Sequence, residues 1–183
     1  KGVEHLPMIL KAIKEHRRIR IQHYTFYSEK SRTFKLEPYL LKEYQNRWYI
    51  VAIVCGMNEQ RTFAIDRLEA IEVLPETFKA TRTEEVNSNF RNVIGLVYTG
   101  NDVEDVELSF TAFQGKYIRT LPFHSSQKIL VDTEDEFRIS LRIIPNFEFN
   151  QKILMHGNSV KVLKPKWLAD EIKSILISAA ENY

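Results

Sequence analysis

Arginine and aromatic side chains alternate along one segment of the chain, from Arg61 through Phe63 to Arg67. A guanidinium binds phosphate through a planar fork of N–H donors, and an aromatic ring stacks on a nucleobase. If the segment is one strand up to a bend, both arginines face the same side. This pattern favours a nucleic-acid or nucleotide surface. In the alternative interpretation, Arg61 is a solvated charge and Arg67 locks the bend through one of three carboxylates, Glu37, Asp66 or Glu69.

A second basic cluster lies upstream, where Arg17, Arg18 and Arg20 are flanked by His16 and His23. Such a cluster suits one wall of a phosphate-binding groove. The alternative is a solvated face at the end of a helix, where cations are also favoured by the helix dipole. Arg20 and His23 are retained from this cluster as candidates for ligand binding.

The stretch "NRWYIVAIV" places Trp48 and Tyr49 at the head of an apolar run. Because neighbours on a strand face opposite sides, these two aromatics cannot enter the same core. We predict that Trp48 packs in the core. Tyr49 carries a hydroxyl that needs a polar partner, so it is predicted to line the ligand surface, although a core position remains open for it.

Residues for catalysis or metal binding do not form a recognisable pattern. His124 is next to Ser125 and Ser126, but adjacent residues do not easily align a base with a hydroxyl, and no glycine-framed nucleophile turn surrounds them. The five histidines and Cys55 lack the spacing of metal ligands, and the six glycines form no phosphate loop. We therefore predict no catalytic residue, no metal and no cofactor, and a protein that is not an enzyme.

The composition is that of an ordinary globular protein. Of the 183 residues, 44% are hydrophobic and 27% are charged, and the net charge is +2. This charge is too small to indicate nucleic-acid binding by itself, but a local basic patch is compatible with it. A single cysteine and the lack of a signal peptide favour the cytoplasm, and no apolar run approaches the length of a membrane span.

The hydrophobic pattern predicts a mixed α+β protein of two domains. A first helix and five short strands joined by tight turns predict a small five-stranded β-barrel over residues 1–80. Residues 81–102 are polar and irregular, which is typical of a linker. Over residues 103–183 the order β-α-β-β-α-β and a last helix predict a ferredoxin-like domain. In this domain, Phe113, Tyr117 and Leu121 have helical spacing, and Asn146 is a suitable N-cap.

Several short motifs resemble the WYL domain, which is named for a Trp-Tyr-Leu run. The run here is Trp48-Tyr49-Ile50, with Pro38-Tyr39 upstream, and Arg61-Thr62-Phe63 and Asp66-Arg67 follow in the order of the family. The stretches "TLPFHSSQ" and "PNFEFNQKILMHGNSVKVLKP" resemble the C-terminal extension that follows such domains. Glu37 stands where many relatives carry His, and a carboxylate there is less suited to phosphate.

The resemblance implies an SH3-like or Sm-like barrel followed by a ferredoxin-like domain. It further implies the ligand-sensing part of a bacterial transcription regulator, which binds a nucleic acid or nucleotide effector and reaches DNA through an N-terminal winged helix absent here. A homodimer is also expected. The alternative is an autonomous Sm-like module that binds single-stranded nucleic acid. The candidate ligand-binding residues are Arg20, His23, Tyr39, Tyr49, Arg61, Phe63 and Arg67.

Overall fold

The structure, a computed structural model, describes residues 2–183 and divides into two compact units. The N-terminal unit ends at Ser88, and the C-terminal unit runs from Asn89 to Tyr183. This division falls inside the segment 81–102 that was predicted as a linker. The segment is not irregular throughout, because it contains a short helix, Thr83–Asn89.

The N-terminal unit is one antiparallel sheet with a helix at each end of its sequence. Its elements are α1 (Leu6–Lys14), β1 (Arg17–Thr25), β2 (Lys30–Tyr44), β3 (Arg47–Val54), β4 (Glu59–Ala64), β5 (Leu68–Thr77) and α2 (Thr83–Asn89). The strand order is β4-β3-β2-β1-β5. Gln45 and Asn46 join β2 to β3 with positive φ at both positions, as a two-residue hairpin turn requires.

The sheet of the N-terminal unit is not a closed barrel. Within residues 2–183, β4 and β5 form the two edges of the sheet and no ladder joins them. The chain passes between them through a 3₁₀ turn, Ile65–Arg67. Helix α1 adds Ile9 and Ala12 to the buried core, so the apolar face is covered without closure of the sheet. The predicted barrel is therefore seen, within the described residues, only as an antiparallel sheet of five strands covered by a helix.

The C-terminal unit is a four-stranded antiparallel sheet with three helices. Its elements are β6 (Glu104–Thr111), α3 (Ala112–Thr120), β7 (Lys128–Asp132), β8 (Glu136–Ile143), α4 (Phe147–Leu154), β9 (Val160–Lys164) and α5 (Lys166–Ala180). The strand order is β7-β8-β6-β9. The predicted N-cap is confirmed, since the Asn146 side chain accepts a hydrogen bond from the Phe149 backbone N–H.

Helix α3 forms as its spacing predicts, but its aromatic stripe is on the outside. Phe113, Tyr117 and Leu121 are all exposed. The helix instead packs through Gly115 and Ile118, and a Cβ added at Gly115 would lie 2.3 Å from the Cβ of Phe137. Periodicity identified this helix correctly, whereas close packing at a glycine decided which face is buried.

The described residues together form a mixed α+β protein with two antiparallel sheets and five α-helices. None of the helices in residues 2–183 has the length and apolar character needed to cross a membrane. Each sheet has an apolar core of its own, and the core of the C-terminal unit includes the fully buried rings of Phe137 and Phe149.

Candidate functional site

Three of the candidate ligand-binding residues meet at one corner of the N-terminal unit. His23 lies near the end of β1, on the same face as the core residues Ile19 and Ile21, and it is buried. Its ring meets the edge of Phe63 from β4, with 5.4 Å between the ring centroids. The charge of Arg67, in the 3₁₀ turn, acts on the same imidazole. We call these three residues, together with Asp66 and the turn residues Phe26 and Ser28, the His23 corner.

Arg67 stacks on an aromatic ring at this corner. Its guanidinium carbon lies 4.8 Å from the centre of the Phe26 ring, in the turn between β1 and β2. Among the described residues, no carboxylate is within ion-pairing distance of Arg67. Glu37 instead pairs with Arg18, and Asp66 pairs with Arg47. Stacking occupies the face of a guanidinium and leaves its in-plane N–H donors available for an anion.

Several buried polar atoms at and near the corner have no hydrogen-bond partner in the part of the chain that the structure describes. They are Nε2 of His23, Oδ1 of Asp66 and Oγ of Ser28, the last in the same turn as Phe26. Leaving a buried polar atom without a partner costs about 1–3 kcal/mol. A ligand or bound water that supplied those partners would recover this free energy, which makes the corner a candidate binding site.

The surroundings of His23 favour its neutral form. Burial lowers the pKa of His23 below its usual value, and the positive charge of Arg67 lowers it further. The Ala64 backbone and the Asp66 carboxylate act in the opposite direction and do not reverse the shift. A neutral imidazole at this position has one nitrogen that can accept a hydrogen bond and one that can donate.

Two predicted arginines do not join the corner. Arg20 pairs with Glu72 on the neighbouring strand β5 at 2.6 Å, and alternation along β1 turns it away from the face of His23. Arg61 pairs with Glu59 at 2.6 Å and lies three residues before the end of β4. Both ion pairs are exposed. The structure thus brings His23, Phe63 and Arg67 together and leaves Arg20 and Arg61 on separate surfaces.

The candidate tyrosines occupy two different environments. Tyr39 is buried at a bulge of β2, with its ring centroid 5.4 Å from that of Phe78, and burial raises its pKa. Tyr49 is half-buried and pairs across the ladder with Ala64, the residue just before the 3₁₀ turn. Of these two, Tyr49 is the one next to the elements that form the His23 corner.

Trp48 was predicted to be core, and this prediction is wrong for much of its side chain. The ring is on the face that carries Ile50 and Ala52, yet 36% of the residue is exposed. The physical reason is position along the strand. Trp48 is the second residue of β3, at the open end of the core, where too few neighbours remain to cover it.

Three residues of the corner were missed by sequence reasoning, namely Phe26, Ser28 and Asp66 in its role as a buried acceptor. The stretch "YTFYS" contained a usable signal. Aromatic residues in a hairpin turn cannot reach a core easily, and Phe26 and Tyr27 are indeed 64% and 100% exposed. An aromatic cluster in a turn is therefore a better indication of a contact surface than an aromatic in a strand.

The remaining basic residues of the upstream cluster are largely neutralised. The Arg18 guanidinium contacts Glu37 at 2.8 Å beside a cavity of about 410 Å³ that also includes Lys35 and Cys55. Burial, with a smaller contribution from Glu37, raises the pKa of the Cys55 thiol. In this cavity the arginine is already paired with a carboxylate. The cavity is therefore less suited to phosphate than the His23 corner, where no described carboxylate pairs with Arg67.

Two family models match the chain in succession. A model described as the WYL domain matches residues 4–73, and a model described as the WCX domain matches residues 102–180. The first match includes the whole His23 corner, and the second includes the sheet of the C-terminal unit. No sequence among the curated proteins matches the chain significantly.

Solved structures resemble the chain at low sequence identity. One is proteasome accessory factor B/C (PafBC) of Arthrobacter aurescens, with 20% identity and a TM-score of 0.43, where the match covers 100% of this chain and 27% of that one. Another is described as a CRISPR Cas-related protein, with 15% identity and a TM-score of 0.58, where the match covers 100% of this chain and 52% of that one. The latter likeness concerns the fold alone. The chain spans about half or less of these proteins.

Proposed function

Because this chain is a WYL-domain protein with a WCX domain behind it, we propose that it is the ligand-sensing part of a transcription regulator. Its effector is a nucleic acid or a nucleotide, bound at the His23 corner. In the complete regulator an N-terminal winged helix contacts DNA, and effector binding changes that contact. The matched domains support a sensing role, and the chemistry of the corner supports an anionic effector with an aromatic base.

The observation that carries this proposal is the pairing of Arg67 with Phe26. Arg67 is half-buried and stacked, and no carboxylate within residues 2–183 pairs with it, so its N–H donors remain available. Phe26 is largely exposed, so a base can stack on it or beside it. Base stacking on an aromatic side chain contributes about 1–3 kcal/mol per base, and a guanidinium adds a bidentate phosphate contact.

The finer fold assignments are part of the same proposal. We propose that the N-terminal unit is an open variant of an SH3-like or Sm-like barrel, supported by five consecutive antiparallel strands and by the long, bulged β2. We propose that the C-terminal unit is ferredoxin-like, supported by its order of strands and helices. The protein is proposed to act in the cytoplasm as a homodimer and to have no enzymatic activity.

A binding experiment with Arg67 tests the proposal. Filter binding with mixed short single-stranded oligonucleotides and nucleotides should detect an effector, and Arg67→Ala should weaken its binding. The salt dependence of binding should become shallower by about one unit of slope, because one phosphate contact is lost. The melting temperature should change little, since Arg67 makes no ion pair among the described residues.

Arg61→Ala is the matched control, because Arg61 lies on the same β4-to-turn segment but is paired with Glu59 on the surface. It should leave both affinity and salt slope near those of the parent protein. If Arg67→Ala instead lowers stability and leaves binding unchanged, Arg67 is a structural lock and the effector site lies elsewhere.

An autonomous Sm-like module remains the second candidate, favoured by the exposed aromatics Phe26 and Tyr27 in the turn. Such a module would bind single strands without any regulatory output. The two functions separate when the gene's upstream sequence is expressed together with this chain. A regulator gains duplex DNA binding that responds to the effector, whereas a module does not.

A further inference from the structure

A groove in the C-terminal unit has the properties of a second binding site. It has a volume of about 610 Å³ and runs between α4 and α5 beside the loop at Asn101. Helix α5 contributes Trp167, Glu171 and Ile175 at intervals of four residues, and α4 contributes Asn150 and Leu154. These intervals align side chains on one face of each helix. The volume is in the range of small-molecule sites.

Asn150, which lines the groove, has a buried side-chain oxygen, Oδ1, without a hydrogen-bond partner among residues 2–183. Only 8% of Asn150 is exposed. The neighbouring Asn146 shows the usual situation, because its side chain accepts from the Phe149 N–H and donates to the carbonyls of Ile94 and Val97. Since an unpartnered buried oxygen is unfavourable, the atom in the groove calls for a hydrogen-bond donor from outside the chain.

The charge of the groove selects against phosphate. Glu171 is the one charged residue among the described residues that line it. An adjoining cavity of about 390 Å³ shares Trp167 and Pro145 with the groove and adds the carboxylates of Asp102 and Glu104. An anionic ligand would be repelled here, while a neutral molecule with N–H donors would not.

The apolar part of the groove suits a flat ring. Trp167 is 46% exposed, so its indole surface is accessible from the groove. Leu154 and Ile175 provide apolar contacts on the two helices. An indole stacks well on planar heterocycles, and such stacking is sequence-tolerant because every base has a π-face.

We propose that this groove binds an unphosphorylated nucleoside whose base carries an exocyclic amine, as adenine and cytosine do. The amine donates a hydrogen bond to Oδ1 of Asn150, and the base stacks on the indole of Trp167. The site belongs to the other unit of the chain and differs from the His23 corner in chemistry. The corner offers an unpaired arginine to an anion, and the groove offers a buried acceptor among carboxylates.

Matched nucleosides test the proposal. In a Trp48→Phe background, Trp167 is the remaining tryptophan, and its fluorescence should change saturably on titration with adenosine. Inosine has a carbonyl in place of the amine and carries its N–H donor on the ring instead, so it should bind roughly tenfold more weakly because the exocyclic position no longer presents a donor to Asn150. Cytidine should likewise bind more tightly than uridine. Adenosine 5′-monophosphate should bind several-fold more weakly than adenosine because of the surrounding carboxylates.

Two variants locate the site by isothermal titration calorimetry on the full chain. Asn150→Leu keeps the size of the side chain but removes the acceptor, so adenosine binding should fall roughly tenfold while the melting temperature stays level or rises. Trp167→Ala should also weaken adenosine binding. Because Trp167 is on the surface, this variant should fold without rearrangement of the core. Phe113→Ala removes an exposed aromatic from α3 and should leave the affinity unchanged.

The proposal fails if adenosine shows no saturable binding, or if adenosine and inosine bind equally. It also fails if Trp167→Ala leaves the affinity unchanged, even where Asn150→Leu does not fold. Tight binding of the monophosphate that is lost in Arg67→Ala would assign the ligand to the His23 corner instead.

Discussion

The two units of this protein treat buried polar side chains differently. At the His23 corner of the N-terminal unit, the imidazole of His23 and the carboxylate of Asp66 keep an atom without a partner. In the C-terminal unit, the side chain of Asn146 makes three hydrogen bonds, and Gln127 donates to the Ile118 carbonyl and accepts from the Phe123 N–H. The exceptions there are one oxygen each of Glu148 and Asn150.

The difference indicates which polar residues hold the fold and which are available to a ligand. Asn146 ties α4 to the chain segment at Ile94 and Val97, so its bonds are structural. His124, Ser126 and the backbone of Arg142 form a similar connection in the C-terminal unit. Thus the "HSS" stretch, which contains the His–Ser neighbours considered for catalysis, forms hydrogen bonds that hold this loop in place. The atoms without a partner among residues 2–183, by contrast, belong to the His23 corner and its turn, to Asn150 in the groove and to Glu148.

The largest effect is expected where the C-terminal core is densest. Phe137→Ala removes a ring that is 1% exposed and should lower the free energy of unfolding by about 3–5 kcal/mol. Trp48→Ala, at the open end of the other core, should cost about 1–2 kcal/mol because a third of the residue is already exposed. Urea denaturation followed by circular dichroism measures both losses.

Equal losses of unfolding free energy in Phe137→Ala and Trp48→Ala would contradict this difference between the two units, because they would mean that Trp48 is as well packed as a core ring. Phe113→Ala serves as the control in the C-terminal unit. Because that ring is exposed, its removal should lower the free energy of unfolding by less than either of the other two substitutions.

A second pair of variants compares a satisfied polar residue with an unsatisfied one. Asn146→Ala removes an N-cap and leaves two carbonyls without donors, which should cost about 2–4 kcal/mol. Ser28→Ala removes a hydroxyl that has no partner and should change stability by less than about 0.5 kcal/mol, or raise it. Thermal and urea unfolding measure both changes.

Asn146→Asp sharpens this pair, because it keeps the acceptor for the Phe149 N–H and loses the two donated bonds. Because it also buries a carboxylate opposite the carbonyls of Ile94 and Val97, its stability should fall to that of Asn146→Ala or below it. A large loss for Ser28→Ala would show that its hydroxyl has a structural partner, such as a bound water, and would weaken the case for the His23 corner.

The smallest expected effect is on the pH dependence of stability. The pKa of His23 is lowered in the folded protein, first by burial and then by Arg67. Between the unfolded pKa of about 6.5 and the lower folded pKa, the unfolded state binds more protons, so this stability is present above the unfolded pKa and is lost as the pH falls through the folded pKa. His23→Gln should flatten this decline in the N-terminal unit, as followed by Trp48 fluorescence in a Trp167→Phe background.

His156 provides the counterpart in the C-terminal unit. Burial and Lys152 lower its pKa, and its ring stacks on Phe123 with 5.5 Å between the ring centroids. His156→Gln should flatten the acid response reported by Trp167 and leave that reported by Trp48 unchanged. If His23→Gln leaves the Trp48 profile unchanged, His23 is not held neutral by the corner.

Sequence patterns predicted the helices and strands better than the tertiary contacts of their side chains. Alternation along β1 put Ile19, Ile21 and His23 on one face, and all three are buried. Spacing predicted α3, and residue type predicted the cap at Asn146. These features depend on neighbours within a few residues, which a single sequence contains.

Features that depend on distant neighbours were predicted less well. The exposure of Trp48 follows from its place at the end of a strand, and the open sheet follows from the way α1 fills the core. The ion pairs of Arg20 and Arg61 depend on which carboxylates lie nearby, and Arg20 meets Glu72 on a strand far along the chain. Of the candidate site, the His23, Phe63 and Arg67 group came together because β1, β4 and the 3₁₀ turn meet in space.

The strand order of the N-terminal sheet has a consequence for folding kinetics. Three of its four ladders join consecutive strands through tight turns, and Tyr24, for example, pairs with Ser31. In the C-terminal sheet, the ladder between β6 and β9 pairs Phe110 with Val160 across two helices. Low contact order generally accompanies fast folding. The three hairpin ladders of the N-terminal sheet should therefore form before its remaining ladder, in which β1 pairs Arg17 with Thr77 of β5, and before the ladder between β6 and β9 in the C-terminal sheet.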